Sequence, residues 1–239
     1  HLGTPDIGLV TLTELAATVS TIAEICQLPL IVDIDTGFGN AINTRRTVRL
    51  IERAGGFAMQ IEDQVFPKKC GHFSGKAVIP VEEALSKIKA AVDAREDENT
   101  MIIARTDARA IDGIEAALDR AEAFIEAGAD MTFVEAPRSE AEMEMITKRL
   151  SVPQVANMVV GGKTPLTPQA RLVELGFSLI LYANTPLQAA MRAMTDVLNA
   201  LKLDGDVSSV IDRLADFDER QRLVDKASYD ALEERYRVE

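Results

Sequence analysis

Two neighbouring stretches of the sequence end in paired carboxylates that could bind a divalent cation. Asp33 and Asp35 close one apolar stretch, and Glu62 and Asp63 close the next. Because side chains alternate along a strand, Asp33 and Asp35 are expected to point to the same side. Carboxylates that converge cannot all stay ionised unless a cation joins them, and oxygen ligands favour Mg²⁺. The pattern predicts a magnesium site; the alternative is a helix cap at Asp33 and a surface position for Asp63.

A candidate reactive thiol follows the second carboxylate pair. The run Lys68-Lys69-Cys70-Gly71-His72 places Cys70 among cationic groups, which lower the pKa of a thiol. A thiol that titrates near neutral pH can exchange a proton with carbon. Two alternatives stay open, namely a loop cysteine without function and a Cys-x-His metal pair. The metal pair is disfavoured because His1 is the only other histidine.

Three further polar residues follow apolar stretches. Arg105 is suited to the bidentate capture of a substrate carboxylate, the alternative being a salt bridge to Asp107 or Asp35. Glu135 and Asn157 could hold the substrate or a metal-bound water. The second cysteine, Cys26, lies among apolar residues and is predicted to be a core residue.

A recurring unit of helix, glycine and strand must position these residues. Glycines such as Gly55, Gly128 and Gly176 end amphipathic helices and turn the chain into a strand. A capping-box pattern at Thr11 predicts a helix toward Ile25, and apolar periodicity predicts another over 81–92. Thr185-Pro186 is typical of an N-cap followed by proline. The six predicted strands cover residues 30–34, 57–61, 101–104, 131–134, 154–156 and 177–182.

Strands that alternate with helices indicate an α/β fold with a parallel sheet. A doubly wound sheet and a barrel both fit, but polar residues at the end of nearly every strand favour the mouth of a TIM-type (β/α)₈ barrel. Since eight strands are needed and six are found, we expect two βα units to precede residue 1. The barrel is expected to form a single domain over 1–239, with a helical extension from about residue 184.

The composition excludes several classes of protein. Hydrophobic residues make up 47% but aromatic residues only 5%, so the core must be aliphatic. The net charge of −12 disfavours a nucleic-acid or anionic-membrane partner. Two cysteines do not make a disulfide scaffold, and no apolar run is long enough to span a bilayer. We therefore expect a cytoplasmic protein.

The strand ends and the cysteine run resemble the isocitrate lyase/phosphoenolpyruvate mutase superfamily. The run at 68–72 is similar to the K-[KR]-C-G-H signature of its lyase branch, and the strand ends at 33–39, 61–64, 104–107, 134–136 and 156–158 match in order and spacing. The resemblance extends from about residue 2 to residue 201. The short form of the chain is similar to the 2-methylisocitrate and 2,3-dimethylmalate lyases.

The resemblance implies a role for each candidate residue. Asp35 would bind Mg²⁺, or Mn²⁺ in its place, with Asp33, Glu62 and Asp6 acting through metal-bound waters. Cys70 would be the general acid, while Lys68 and His72 would bias the thiol and steady a gating loop. Arg105 would hold the 2-oxo-acid end of the substrate. The two pocket-lining residues would be Glu135 and Asn157.

The implied reaction cleaves a small 2-hydroxy di- or tricarboxylate to a 2-oxo acid and a carboxylate. The resemblance also implies a homotetramer that exchanges C-terminal helices between subunits. Phosphonopyruvate enzymes of the superfamily typically lack the cysteine, and oxaloacetate hydrolases are expected to have serine where this chain has Pro137. A non-catalytic binding barrel is disfavoured by the complete acidic set together with Cys70.

Overall fold

The computed structural model describes residues 2–71 and 75–238. The chain divides into two compact units, His1–Ala183 and Asn184–Glu239. The first unit contains the strands and every candidate site residue, and the second is helical.

The first unit contains six parallel strands, which confirms the predicted alternation of strands and helices. Four strands form one sheet in the order β1-β2-β3-β4, and β5 pairs with β6. A parallel bridge between Thr132 and Gln154 links β4 to the start of the next pair. The bounds are β1 Leu30–Asp33, β2 Gly56–Glu62, β3 Met101–Thr106, β4 Met131–Val134, β5 Val155–Asn157 and β6 Leu179–Leu181. Within the described ranges β1 and β6 do not pair, so a closed eight-stranded barrel stays a prediction.

The register brings the polar strand ends to one edge. Asp33 pairs with Gln60 between β1 and β2, and Glu62 pairs with Arg105 between β2 and β3. Because all the strands run in the same direction, their carboxyl ends meet at this edge. The sheet therefore collects the side chains that the sequence places after each strand.

Seven helices lie in the described part of the first unit. The capping box at Thr11 is present, and the periodic segment forms a helix with the predicted limits. Gly55 and Gly176 follow helices with φ of 106° and 96°, a conformation that glycine adopts without steric cost. The bounds are α1 Leu12–Ile25, α2 Ala41–Arg53, α3 Val81–Val92, α4 Arg109–Asp112, α5 Ile114–Glu126, α6 Glu140–Arg149 and α7 Gln169–Glu174.

The core lies between the sheet and these helices and is mainly aliphatic. Val32 and Ile34 of the β1 segment are buried in it. The prediction that Cys26 is a core residue is wrong: Cys26 is half-buried, and the adjacent Ile25 and Leu28 are 77% and 75% exposed. Apolar neighbours in sequence suggested burial, but Cys26 is the C-cap at the end of α1, and the described residues leave this end of the helix largely uncovered.

The second unit is formed by helices α8 Thr185–Asp204, α9 Phe217–Leu223 and α10 Lys226–Arg235, with a 3₁₀ turn at Ser208–Arg213. Asn184, in the left-handed conformation, is the N-cap of α8, so the prediction of Thr185 at this position is wrong by one residue. Large apolar side chains such as Leu198 and Leu203 are exposed on α8. No helix in the described part of the chain is long and apolar enough to cross a membrane.

Candidate active site at the carboxyl ends of the strands

The end of β1 presents Asp33 and Asp35 away from the core. Val32 and Ile34 are buried among the helices, whereas Asp33 is exposed and Asp35 half-buried. The Asp35 N–H donates to Asp33 Oδ1 at 2.9 Å, and Asp35 has a φ of 48°. An opening of about 280 Å³ is lined by both carboxylates together with Asp6. Alternation along the strand therefore placed the pair correctly on one side.

Lys68 lies between two of the predicted metal ligands. Its Nζ contacts Asp6 Oδ1 at 2.6 Å and Asp35 Oδ1 at 2.8 Å, while its side chain is 6% exposed. Burial lowers the pKa of Lys68, but the bonds with Asp35 and Asp6 outweigh burial and raise the pKa above its ordinary value. Burial also raises the pKa of Asp35, although Lys68 opposes this shift. The carboxylates thus already hold a positive charge.

Glu62 is buried without a hydrogen bond. Only 2% of the residue is exposed, and neither carboxylate oxygen accepts a hydrogen bond from the described residues. Glu62 Oε2 forms an ion pair with Arg105 Nη1 at 3.2 Å. Burial raises the pKa of Glu62 to about 8, and the nearby charge of Asp33 adds to the shift, although Arg105 opposes it. Such an acid is a favourable partner for an added cation or a metal-bound water.

Arg105 joins the remaining acids of the site. Its Nε donates to Asp107 Oδ2 at 3.0 Å and lies 3.8 Å from Glu135 Oε2. The guanidinium also stacks over Phe133, 5.3 Å from the ring centroid. The salt bridge to Asp107, considered above as an alternative to substrate binding, is therefore present. Because three carboxylates surround one guanidinium, the surplus of negative charge remains.

Glu135 and Asn157 lie next to each other at the ends of β4 and β5. Asn157 Nδ2 donates to Glu135 Oε2 at 3.3 Å, and both residues are buried. Asn157 Oδ1 is also buried and has no hydrogen-bond partner among the residues described. This acceptor could bind a hydroxyl group or water.

The loop that contains Cys70 lies over Arg105 and Glu135. A Cβ added at Gly71 would lie 2.6 Å from Arg105 Nη2 and 2.7 Å from Glu135 Oε1, so a larger residue would displace these two side chains. Gln64 fixes the start of the loop through two hydrogen bonds with the backbone of Lys69. Cys70, which adjoins this contact, is half-buried. His72 lies outside the described residues, so its predicted role stays a prediction.

One residue of this network, Lys76, was missed from sequence. Lys76 donates to the Gly71 carbonyl at 2.5 Å and contacts the Asp107 carboxylate, with a side chain 2% exposed. Burial raises the pKa of Asp107, but the charges of Arg105 and Lys76 more than offset it, so the net pKa lies below its ordinary value. Since Lys76 is the next lysine along the cysteine loop, its position was the available signal.

The carboxylate of Asp63 has different partners from that of Glu62. Its carboxylate accepts hydrogen bonds from Thr106 Oγ1 at 2.7 Å, the Asp107 N–H at 3.0 Å and Arg120 Nε at 2.9 Å. Arg120 belongs to α5, so Asp63 faces the helices. The structure brings Asp33 and Asp35 together at one opening, while their convergence with Glu62 on one ion stays a prediction.

The acids fit a metal ion that is bound mainly through water. Among the described residues, no three Asp, Glu, His or Cys side chains lie close enough to ligate one ion directly. Mg²⁺ commonly takes one or two carboxylates and keeps several waters. Asp35 and Asp6 pair with the Lys68 ammonium, and the Glu62 carboxylate accepts no hydrogen bond from the described residues, so these acids are suited to a cation.

Comparisons with known proteins agree with this geometry. The model of the family described as phosphoenolpyruvate phosphomutase matches residues 1–202. The chain is 46% identical to 2,3-dimethylmalate lyase from Eubacterium barkeri, covering 99% of this chain and 82% of the relative. It is 46% identical to 2-methylisocitrate lyase from Aeropyrum pernix, with 89% and 68% covered. The chloroplastic carboxyvinyl-carboxyphosphonate phosphorylmutase of Arabidopsis thaliana is also 46% identical, with 98% and 70% covered.

Solved structures show the same similarity in three dimensions. A crystal structure of 2,3-dimethylmalate lyase matches with a TM-score of 0.89 and 34% identity, covering 97% of this chain and 78% of the other. Oxaloacetate acetylhydrolase with 3,3-difluorooxalacetate gives 0.88 and 31%, with the same coverage. Phosphonopyruvate hydrolase in complex with oxalate and Mg²⁺ gives 0.85 and 30%, with 98% and 81% covered.

Proposed function

The chain belongs to the phosphoenolpyruvate phosphomutase family, and from this premise we propose that it is a Mg²⁺-dependent carbon–carbon lyase. The substrate class is a 2-hydroxy di- or tricarboxylate of the 2,3-dimethylmalate or 2-methylisocitrate type. The products are pyruvate, or another 2-oxo acid, and a simple carboxylate. The names of the relatives and the lyase-type cysteine run support this proposal.

One structural observation carries the proposal. Gly71, next to Cys70, packs against Arg105 and Glu135, and Arg105 is paired with Glu62. On the other side of Cys70, Lys68 is paired with Asp35 and Asp6. A proton donor, a guanidinium and a cation-attracting group of acids are therefore near one another. These are the groups needed to break a bond next to a carboxylate and to protonate the carbon.

We propose the following roles for the residues of the chain. Asp35 would hold Mg²⁺, with Asp33, Glu62 and Asp6 bonding to its waters. When bound, the ion would act as a Lewis acid on the substrate oxygens. Because Lys68 occupies the space between Asp6 and Asp35, its ammonium would move aside or share these carboxylates.

The protein groups would then guide the bond cleavage. A general base takes the proton of the 2-hydroxyl, the C2–C3 bond breaks as C2 becomes a carbonyl, and the electron pair of the bond forms a carboxylate-stabilised carbanion at C3. Arg105 would bind the carboxylate of the 2-oxo acid and stabilise the developing charge. The Cys70 thiol would transfer its proton to C3, while Glu135 and Asn157 would orient the substrate. Lys68 and His72 would bias the protonation of the Cys70 thiol and steady the loop that contains it.

The direct test measures pyruvate release from a panel of substituted malates and citrates. We expect turnover with 2,3-dimethylmalate or 2-methylisocitrate, because C2–C3 cleavage of either yields pyruvate. We also expect EDTA to abolish turnover and Mg²⁺ or Mn²⁺ to restore it. Turnover that persists in EDTA would exclude the metal, and no release from any member of the panel would exclude the lyase.

Oxaloacetate hydrolysis is the second candidate, because the acetylhydrolase structure is nearly as similar as that of the lyase. Pro137 stands after Glu135-Ala136, where we expect serine in an oxaloacetate hydrolase. Oxaloacetate and phosphonopyruvate therefore belong in the same panel. Formation of oxalate and acetate in the absence of lyase turnover would favour the hydrolase.

We also propose a homotetramer that exchanges its C-terminal helices between subunits. The exposed apolar side chains of α8 support this assembly, since large exposed apolar patches mark interaction surfaces. Light scattering of the purified protein tests it, and a monomeric mass would contradict it. The proposed cytoplasmic location is tested by fractionation of the source cell.

A further inference from the structure

Lys76 is a buried cation that does not contact any of the four predicted metal ligands. It lies on the returning arm of the cysteine loop, where Val78 forms an antiparallel bridge with Gln64 on the outgoing arm. Its Nζ donates to the Gly71 carbonyl and contacts the carboxylate of Asp107. With only 2% of its side chain exposed, Lys76 makes these two contacts out of reach of bulk water.

The two contacts of Lys76 link the loop to the end of β3. Asp107 follows β3 and binds the Nε and Nη2 of Arg105 at 3.0 and 3.3 Å. The Gly71 backbone packs directly against the same guanidinium. Lys76 therefore connects the backbone turn beside Cys70 to the carboxylate of Asp107, which in turn binds Arg105.

We propose that Lys76 is a positioning residue of the reaction: its ammonium fastens the Cys70-Gly71 turn to Asp107 and so sets the thiol relative to Arg105. The inference rests on the proposed lyase function. Lys76 acts through Gly71 and Asp107, not on the substrate itself. When Lys76 loses its charge, Asp107 still binds Arg105, so the structure at the end of β3 is kept. The Cys70-Gly71 turn, however, is no longer held to Asp107.

Three variants separate the charge of Lys76 from its ability to donate hydrogen bonds. Lys76→Arg keeps a charged donor, Lys76→Gln keeps a donor without charge, and Lys76→Met removes both. Lys89→Met makes the same chemical change on the exposed face of α3 and is the matched control. Thermal unfolding of each variant shows whether it folds.

The first readout is the split between kcat and KM. We expect Lys76→Met to lower kcat about 100-fold, because a misplaced reactive group costs about this factor. KM should change less than about threefold, since Arg105 keeps Asp107. Lys76→Gln should be intermediate, Lys76→Arg should recover most of the rate, and Lys89→Met should match the parent. A folded Lys76→Met variant with the parental kcat, or a Lys76→Arg variant as slow as Lys76→Met, would overturn the inference.

The second readout does not depend on lyase activity. Iodoacetamide labels the free thiols, and Cys26 on the same chain is an internal standard for general reactivity. We expect Lys76→Met to raise the labelling rate of Cys70 about tenfold and to leave Cys26 unchanged.

Equal Cys70 rates in Lys76→Met and the parent would overturn the inference even if the lyase is active. If the parent is inactive on the whole panel, the lyase proposal fails, and the labelling rates alone decide whether Lys76 fastens the turn. If Lys76→Met does not fold, Lys76→Gln takes its place in both readouts.

Discussion

Glu62 and Asp63 are adjacent and both buried, but their carboxylates differ in the hydrogen bonds that they accept. The Glu62 carboxylate receives no hydrogen bond from the described residues, whereas Asp63 receives three, including one from Arg120. Glu62 faces the pocket, and Asp63 faces the helices. Since a buried carboxylate is costly without partners, the fold satisfies Asp63 and leaves Glu62 for a ligand.

The contrast between Glu62 and Asp63 predicts different effects of substitution, on function at one residue and on stability at the other. Substitutions on the pocket side should reduce turnover while the fold persists, because unsatisfied groups contribute little to stability. Substitutions on the helix side should destabilise the fold while the active site of folded molecules is retained. Each side can therefore be tested independently.

Cys70→Ser gives the largest expected effect and tests the pocket side. We expect turnover to fall about 10³-fold or more, since general acid catalysis contributes 10²–10⁴-fold and serine is a far weaker acid. Binding of Mg²⁺ and of pyruvate, measured by calorimetry, should remain. Turnover close to that of the parent would remove Cys70 from the mechanism.

Asp63→Ala tests the helix side. We expect the free energy of unfolding to fall by about 3 kcal/mol, because Arg120 and two donors lose their buried acceptor. Urea titration measures this change, and the turnover of the folded fraction should stay within about twofold of the parent. Glu144→Ala, which removes the exposed partner of Lys148, is the control and should change stability by less than about 0.5 kcal/mol. A stable Asp63→Ala variant would contradict the contrast.

Glu62→Gln tests the contrast through the pH dependence of Mg²⁺ binding. Since the pKa of Glu62 is raised to about 8, Glu62 is mostly protonated at pH 6.5 and mostly ionised above pH 8. A protonated Glu62 attracts a cation less, so Mg²⁺ affinity should rise by about tenfold from pH 6.5 to 8.5. In Glu62→Gln this rise should be absent. Calorimetry at both pH values measures it, and the same slope in both proteins would exclude Glu62 from the metal site.

The features of the fold that the sequence predicted are those set by residues close together in the chain. The six strands, the capping box at Thr11 and the glycine turns depend on neighbouring residues, so they could be predicted from a single chain. Burial of Cys26 could not, because it depends on which element covers α1. Thr185 failed as an N-cap because Asn184, which tolerates the left-handed conformation, takes that position.

The sequence named candidate residues for the site but not which of them contact one another. Alternation relates Asp33 to Asp35, yet it does not tell which of Glu62 and Asp63 faces the pocket. That choice depends on Arg120, which is 57 residues away from Asp63 in sequence. Lys76 was missed for a similar reason, since no periodicity predicts where the returning arm of a loop places a charge.

The backbone and the side chain of Asp35 have opposite effects on stability. A left-handed conformation costs a non-glycine residue about 1 kcal/mol, and a glycine at this position would avoid that cost. The same glycine would remove one of the two carboxylates that pair with the buried Lys68 ammonium, and loss of a buried ion-pair partner costs about 3–5 kcal/mol. A search for thermostable variants that scores only survival on heating is thus expected to retain Asp35 despite its backbone conformation.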